Sequence, residues 1–313
     1  MILAGDIGGT STRLALVDGD PRDPVALEVY RSREHAGLEE MVREFLAAHP
    51  AEVRRACFGV AGPVRGGRCV DTTNLAWPVE GASLAREIGR RVSLLNDLEA
   101  NAWGLAALGP DDFAVLNGRP GRGRERRRRL RRHRPRRGRP LLGRRASPSF
   151  ATEGGQADFA PRSELEEGLR RYLAWEYGHV SYDERVCSGL GLVNVYRYLV
   201  DTSGEQAAVE LDGGAIARAA LEGSNATCSR ALDLMISIYG AQAGNVALTL
   251  MATGGVYLGG GIPPRILPRL REGGFMRAFV DKGRFRPLLE RVPVRVILND
   301  GTALMGAALC ASA

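Results

Sequence analysis

Leu95-Asn96-Asp97-Leu98-Glu99-Ala100-Asn101-Ala102 is the stretch on which the reading of the fold turns. The run before it, Val92-Ser93-Leu94-Leu95, is short and apolar like a central strand, and residues 98–108 are rich in alanine and leucine like a helix. Asp97 therefore sits in the turn where a buried strand passes into a helix. In an open α/β sheet, ligands bind beyond the carboxyl ends of the strands, and the first amides of the next helix favour negative charge. Two roles stay open from these residues alone: an N-cap, which aspartate fills well, or a base at the mouth of the sheet.

Working outward, residues 2–17 place two apolar runs around Asp6-Ile7-Gly8-Gly9-Thr10. That is the pattern of a hairpin whose glycines permit φ > 0 and close approach of another group. The exposed amides of such a turn form an anion nest, Thr10 adds a hydroxyl donor, and a phosphate is the fitting guest. Asp6 would then face its metal. A plain hairpin also accommodates Gly-Gly but does not require an acid before it. Leu38, Met41, Val42, Phe45 and Leu46 recur at helical spacing, so residues 38–48 read as a surface helix. Residues 56–64 read as a buried strand entering a Gly-Pro turn, and Asn74 is either an Asx turn or a hydroxyl-binding group. Further on, 163–177, 206–221, 229–250 and 302–311 read as helices and 294–298 as a strand.

A chain of 313 residues suggests two domains, and 44% hydrophobic residues with 40 glycines fit an α/β protein. No apolar run approaches the roughly 20 residues that span a bilayer, and no signal peptide is legible, so a cytoplasmic protein is expected. Five scattered cysteines without a C-x-x-C pair suggest neither a disulfide framework nor a zinc site. The net charge of +7 is local: residues 119–145 hold 15 arginines and one acid, Glu125, so the rest of the chain carries −7.

The order DIGGT, GVAGPV, TTNLAWP and LLNDLEANAWG, followed by TEGGQADFAP, WEYGHVS, ERVCSGLGL, GGVYLGGGI and residues 279–285, resembles bacterial ATP-dependent glucokinase of the hexokinase and actin-like ATPase superfamily. Apart from residues 118–150 the resemblance runs through nearly the whole chain. It implies an actin-like (ribonuclease H-like) α/β fold of two domains around an interdomain cleft. The small domain would be 1–108 completed by 299–313, and the large one 109–298, with crossings near Gly109 and Asn299. It implies phosphoryl transfer from ATP, with Mg2+, to the 6-hydroxyl of glucose, the opening step of glycolysis. Asp97 would be the base, and Asn74, Asn96, Glu153, Gln156 and Glu176 would bind sugar hydroxyls. Gly5, Asp6, Ile7, Gly8, Gly9 and Thr10 would hold ATP phosphates, and Gly259, Gly260 and Gly261 would line the adenosine side. No protein ligand to the metal is assigned, since Mg2+ keeps much of its water and meets phosphate oxygens. His179 would orient Glu176 or simply end a helix. Gln156 departs from the family's usual histidine, which puts the hexose preference in question. Glucose and ATP are the implied partners, a homodimer is allowed, and neither membrane nor nucleic acid is implied. The alternatives are a hexose kinase of the repressor/kinase type, whose cysteine-rich zinc motif is absent, and a catalytically impaired sugar-binding protein.

The impairment concerns the arginine tract, which stands where the family has a second phosphate loop of the form GTGLG. It reads as a nucleic-acid-binding insert, a solvated disordered loop, or the product of two compensating frameshifts. For the last, one permitted choice of codons for Arg132 to Gly138, CGG CAC CGG CCT CGG CGA GGC, gives Gly-Thr-Gly-Leu-Gly-Glu-Ala when started one nucleotide later. Lys282 is the only lysine among 43 basic residues, a bias that suits GC-rich codons. Without those glycine amides, turnover is expected to be at least about 10²-fold slower than in a restored chain, the scale of losing one preorganised donor.

Overall fold

The computed structural model describes residues 1–70, 72, 75–117, 152–204 and 211–313. Asn74 and the arginine tract, with the readings placed on them, lie outside the described residues. The chain forms two compact units: one of Met1–Asp112 with Asn299–Ala313, the other of residues 113–117 with Thr152–Leu298.

Unit 1 is built on a five-stranded mixed sheet of order β3-β2-β1-β4-β7, from β1 (Ile2–Ile7), β2 (Ser11–Val17), β3 (Ala26–Arg31), β4 (Arg55–Val60) and β7 (Val92–Asn96). Two short strands, β5 (Arg68–Cys69) and β6 (Val79–Glu80), pair separately. The sheet is antiparallel from β1 through β2 to β3 and parallel from β1 through β4 to β7. Strand alternation sends successive side chains to opposite faces. Leu3, Leu14, Leu16 and Phe58 meet Met41, Val42 and Phe45 of helix α1 (Leu38–Ala48) and Leu84 of α2 (Gly81–Ile88). Ala4, Ala15, Val17 and Cys57 face the other way, against Ala303, Ala307 and Ala308 of the last helix (Thr302–Ser312). Arg55 of β4 caps that helix by donating to the carbonyls of Ala311 and Ser312 at 3.0 and 3.1 Å.

β7 runs into α3 (Asp97–Gly104), the strand-to-helix passage expected at Asp97. The strand is not central, however. Among the described residues it lies at the sheet edge, with only Leu95 and Asn96 buried, because a four-residue apolar run carries no information about whether a further strand pairs beyond it. The last helix crosses α3 at the closest possible range: a Cβ on Gly306 would fall 1.8 Å from the Ala100 carbonyl oxygen, and one on Gly104 would fall 2.0 Å from that of Thr302.

Unit 2 holds a three-stranded sheet of order β8-β10-β9, from β8 (Phe113–Val115), β9 (Val256–Leu258) and β10 (Val294–Ile297). Its helices are α4 (Glu164–Tyr177), α5 (Tyr182–Arg185), α6 (Gly189–Ser203), α7 (Gly213–Glu222), α8 (Ala226–Thr249), α9 (Ile262–Arg265), α10 (Leu267–Arg271), α11 (Gly274–Val280) and α12 (Arg286–Leu289). Thr302–Ser312 is thus α13. The helix expected from residue 206 begins at Gly213, where Asp212 caps it by accepting from the Ala215 amide; residues 205–210 are not described. The one expected from 229 begins three residues earlier, capped by Asn225. A side-chain cap overrides an apolar pattern in setting where a helix starts. Among the described residues no helix is long and apolar enough to cross a membrane.

Candidate active site

In unit 1 the β1–β2 hairpin presents Gly8 to Thr10 at its tip, closed by the Gly8 amide donating to the Ser11 carbonyl at 3.1 Å. Gly8 and Gly9 do not adopt the positive φ that the hairpin pattern permits, and the reason for glycine at positions 5 and 8 is a different one. That reason is space: a Cβ on Gly5 would lie 2.3 Å from the Phe58 ring, and one on Gly8 would lie 3.1 Å from the Ser11 oxygen. Behind the tip, Ser32 Oγ lies 2.6 Å from the Gly8 oxygen and 3.0 Å from Thr12 Oγ1, and the Ser32 amide donates to Thr10 O at 3.2 Å.

Asp6 stands opposite Arg13 across the β1–β2 ladder. The Arg13 guanidinium grips Asp300, just before α13, donating to its carbonyl at 2.5 Å and its carboxylate at 2.6 Å. Burial pushes the Asp6 carboxyl up to about 6, Arg13 opposes the rise, and the charges of Asp97 and Asp300 add to it. Three carboxylates therefore share one neighbourhood with a single guanidinium. Asp97 is the first residue of α3, and the cap is Asn96, whose Oδ1 accepts from the Leu98 amide at 2.9 Å. Of the two roles open to Asp97 in the sequence, capping thus falls to its neighbour. Asn96 is almost wholly buried, and its Nδ2 also donates to the Gly62 carbonyl at 2.9 Å.

In unit 2, Gly154–Gln156 form a single 3₁₀ turn following the exposed Glu153. This segment leans on α5: Tyr182 N–H donates to Ala157 O at 3.2 Å, and Phe159 N–H to Val180 O at 2.8 Å. Gly155 is required there, because a Cβ would fall 2.1 Å from the Asp183 carboxylate. Gln156 Nε2 reaches Glu184 at 3.4 Å. Glu176, near the end of α4, instead faces Arg197 of α6 at 3.5 Å. His179 does not orient Glu176 either. It lies beyond the helix end and meets Asp158 at 3.0 Å, because the chain turns at Gly178 and carries it toward the 152–158 segment. Glu184 is the residue that the sequence reading passed over. Its signal was weak, since the contact with Gln156 spans 28 positions. Gly259, Gly260 and Gly261 link β9 to α9, with Gly260 at φ +87° in open space.

The glucokinase family model matches residues 3–131 and 138–313. A glucokinase of Synechocystis sp. is 37% identical over 99% of this chain and 97% of its own length, and one of Nostoc sp. is 38% identical over 100% and 99%. Among solved structures, a glucokinase from an Antarctic psychrotroph superposes with a TM-score of 0.78 at 27% identity, covering 99% of this chain and 98% of its own. A ROK family glucokinase from Streptomyces griseus, in complex with glucose and AMPPNP, shares the fold with a TM-score of 0.64 at 21% identity over 99% of both chains. Fold and motifs together define a sugar kinase of the actin-like ATPase class. Within that class, the chain belongs to the glucokinase family.

Proposed function

We propose that this chain transfers the γ-phosphoryl group of ATP to the 6-hydroxyl of glucose, in the cytoplasm. The observation that carries the reading is the carboxylate group of Asp6, Asp97 and Asp300 at the root of the phosphate turn. Asp97 accepts the proton of the attacking hydroxyl, whose oxygen bonds to the γ-phosphorus as the bond to ADP breaks. The amides at Gly9 to Ser11 hold phosphate oxygens, the Gly8 amide being spent on the Ser11 carbonyl. Three carboxylates against one guanidinium suit a hard divalent cation with oxygen ligands, so Asp6 and Asp300 would hold Mg2+ through water and phosphate oxygens. Bound there, the metal supplies charge neutralisation for the phosphates.

For the sugar, Glu153, Gln156 and Glu184 of unit 2 form the supported set. Glu184 takes the place first given to Glu176, because it contacts Gln156 whereas Glu176 is engaged by Arg197. Gln156 keeps both a donor and an acceptor where histidine is usual, and the reading retains glucose as the substrate. Assay of ADP release against glucose, mannose, fructose and N-acetylglucosamine tests this. Glucose should give the highest kcat/KM; ADP release indifferent to every sugar would overturn the proposal.

A further inference from the structure

We infer that Ser32 is a positioning residue for ATP, fixing which way the peptide groups of the Gly8–Thr10 turn face. The inference rests on the phosphate role proposed for that turn. Ser32 and Thr12 are wholly buried, which is unusual for two hydroxyl residues on a strand and the turn after its neighbour. Their hydrogen bonds can be assigned from proton count alone. The Gly8 carbonyl can only accept, and a serine hydroxyl has one hydrogen. Ser32 therefore donates to Gly8 O at 2.6 Å, and Thr12 must donate to Ser32 at 3.0 Å. The Ser32 amide donates in turn to Thr10 O.

Two alternate carbonyls of the turn, Gly8 and Thr10, are thus drawn onto one residue. In a planar trans peptide, the carbonyl of one residue and the N–H of the next point in opposite directions. Turning the Gly8 and Thr10 carbonyls toward Ser32 turns the Gly9 and Ser11 N–H groups away from it, as a nest for anionic oxygen requires. Ser32 itself is held at the end of β3 by the β2–β3 ladder, where Ser11 pairs with Arg31. Its effect is thus exerted through the backbone, without contact with the nucleotide.

The test uses the full chain. ATP and glucose affinities are measured by calorimetry, alongside KM for each, in Ser32→Ala, Thr12→Val and Thr12→Ser. Ser32→Ala should weaken ATP by about tenfold, the size of one hydrogen bond, with glucose affinity unchanged. Thr12→Val, which keeps the shape and loses the donor, should shift ATP in the same direction by less, and Thr12→Ser should match the unsubstituted chain. If Ser32→Ala does not fold, the Thr12 pair still decides. Unchanged ATP affinity in both Ser32→Ala and Thr12→Val, or equal loss for ATP and glucose, would overturn the inference alone. Absence of ATP binding in the unsubstituted chain would overturn the phosphate reading and this inference with it.

Discussion

The turn proposed to hold phosphate in unit 1 and the 152–157 segment proposed to meet sugar in unit 2 differ in how much of their geometry exists before any ligand arrives. The turn is backed by wholly buried hydroxyls, closed by its own backbone bond and flanked by a carboxyl held near pH 6. The segment is mostly exposed, and its one hydrogen bond between two side chains, from Gln156 to Glu184, is long at 3.4 Å. On the proposed function, charge handling would be built into the fold, while sugar recognition would be completed by the sugar. A donor fixed in advance loses no ordering entropy when the charge develops, whereas exposed side chains surrender rotamer freedom on binding.

The most severe test of this contrast is Asp97→Asn. Turnover should fall by about 10²- to 10⁴-fold, the usual scale for a general base, with glucose affinity retained. If glucose binding fell instead and turnover at saturation survived, the division between the two regions would collapse.

Next in size is the stability held back at Asp6. Its carboxyl keeps a proton in the fold at a pH where the unfolded chain has lost it, so folding takes up a proton between about pH 4 and 6. The stabilisation is fully present below the unfolded value of 3.8 and is lost as pH rises through about 6. Asp6→Asn, neutral throughout, should be more stable than the parent at pH 8 by about 2–3 kcal/mol and nearly equal to it at pH 4. Urea melts of the unliganded proteins at the two pH values would show this, and parallel pH profiles would refute it.

The sugar segment offers the smaller effects. Glu153→Gln and Glu184→Gln should each weaken glucose binding by roughly 1.5–3 kcal/mol, the range for a hydrogen bond to a charged group. Glu176→Gln should change it by less than about 1 kcal/mol, as expected for an exposed ion pair. Calorimetry that ranked Glu176 above Glu184 would restore the assignment drawn from the sequence.

What could be read in the sequence was local and periodic. The DIGGT hairpin and α1 declare themselves within a few residues of apolar spacing, and so does the passage from β7 into α3. What could not be read depends on partners distant along the chain. β7 looked central because no local feature reports that a sheet ends beside it. Asn96 and Asp97 are both good caps, and only backbone geometry decides between them. Gly8 was read as conformational and is instead spatial, as is Gly5, since the Phe58 ring and the Ser11 carbonyl were invisible until the strands paired. Glu184 required the fold to bring α5 against residue 156.

The near-contact of α3 and α13 also constrains how the molecule is made. Gly104 and Gly306 meet the opposite backbone with no room for a methyl group, so the helix bearing Asp97 has one companion that fits it, and that companion is encoded after residues 113–298. Domains generally fold as units while the ribosome extends the chain. Unit 1 cannot do so: its sheet emerges first but keeps Ala4, Ala15 and Cys57 uncovered until all of unit 2 has been translated. A nascent chain halted before residue 302 should expose that alanine-lined face to chaperones, and proteolysis of stalled ribosome complexes would find unit 2 protected before unit 1.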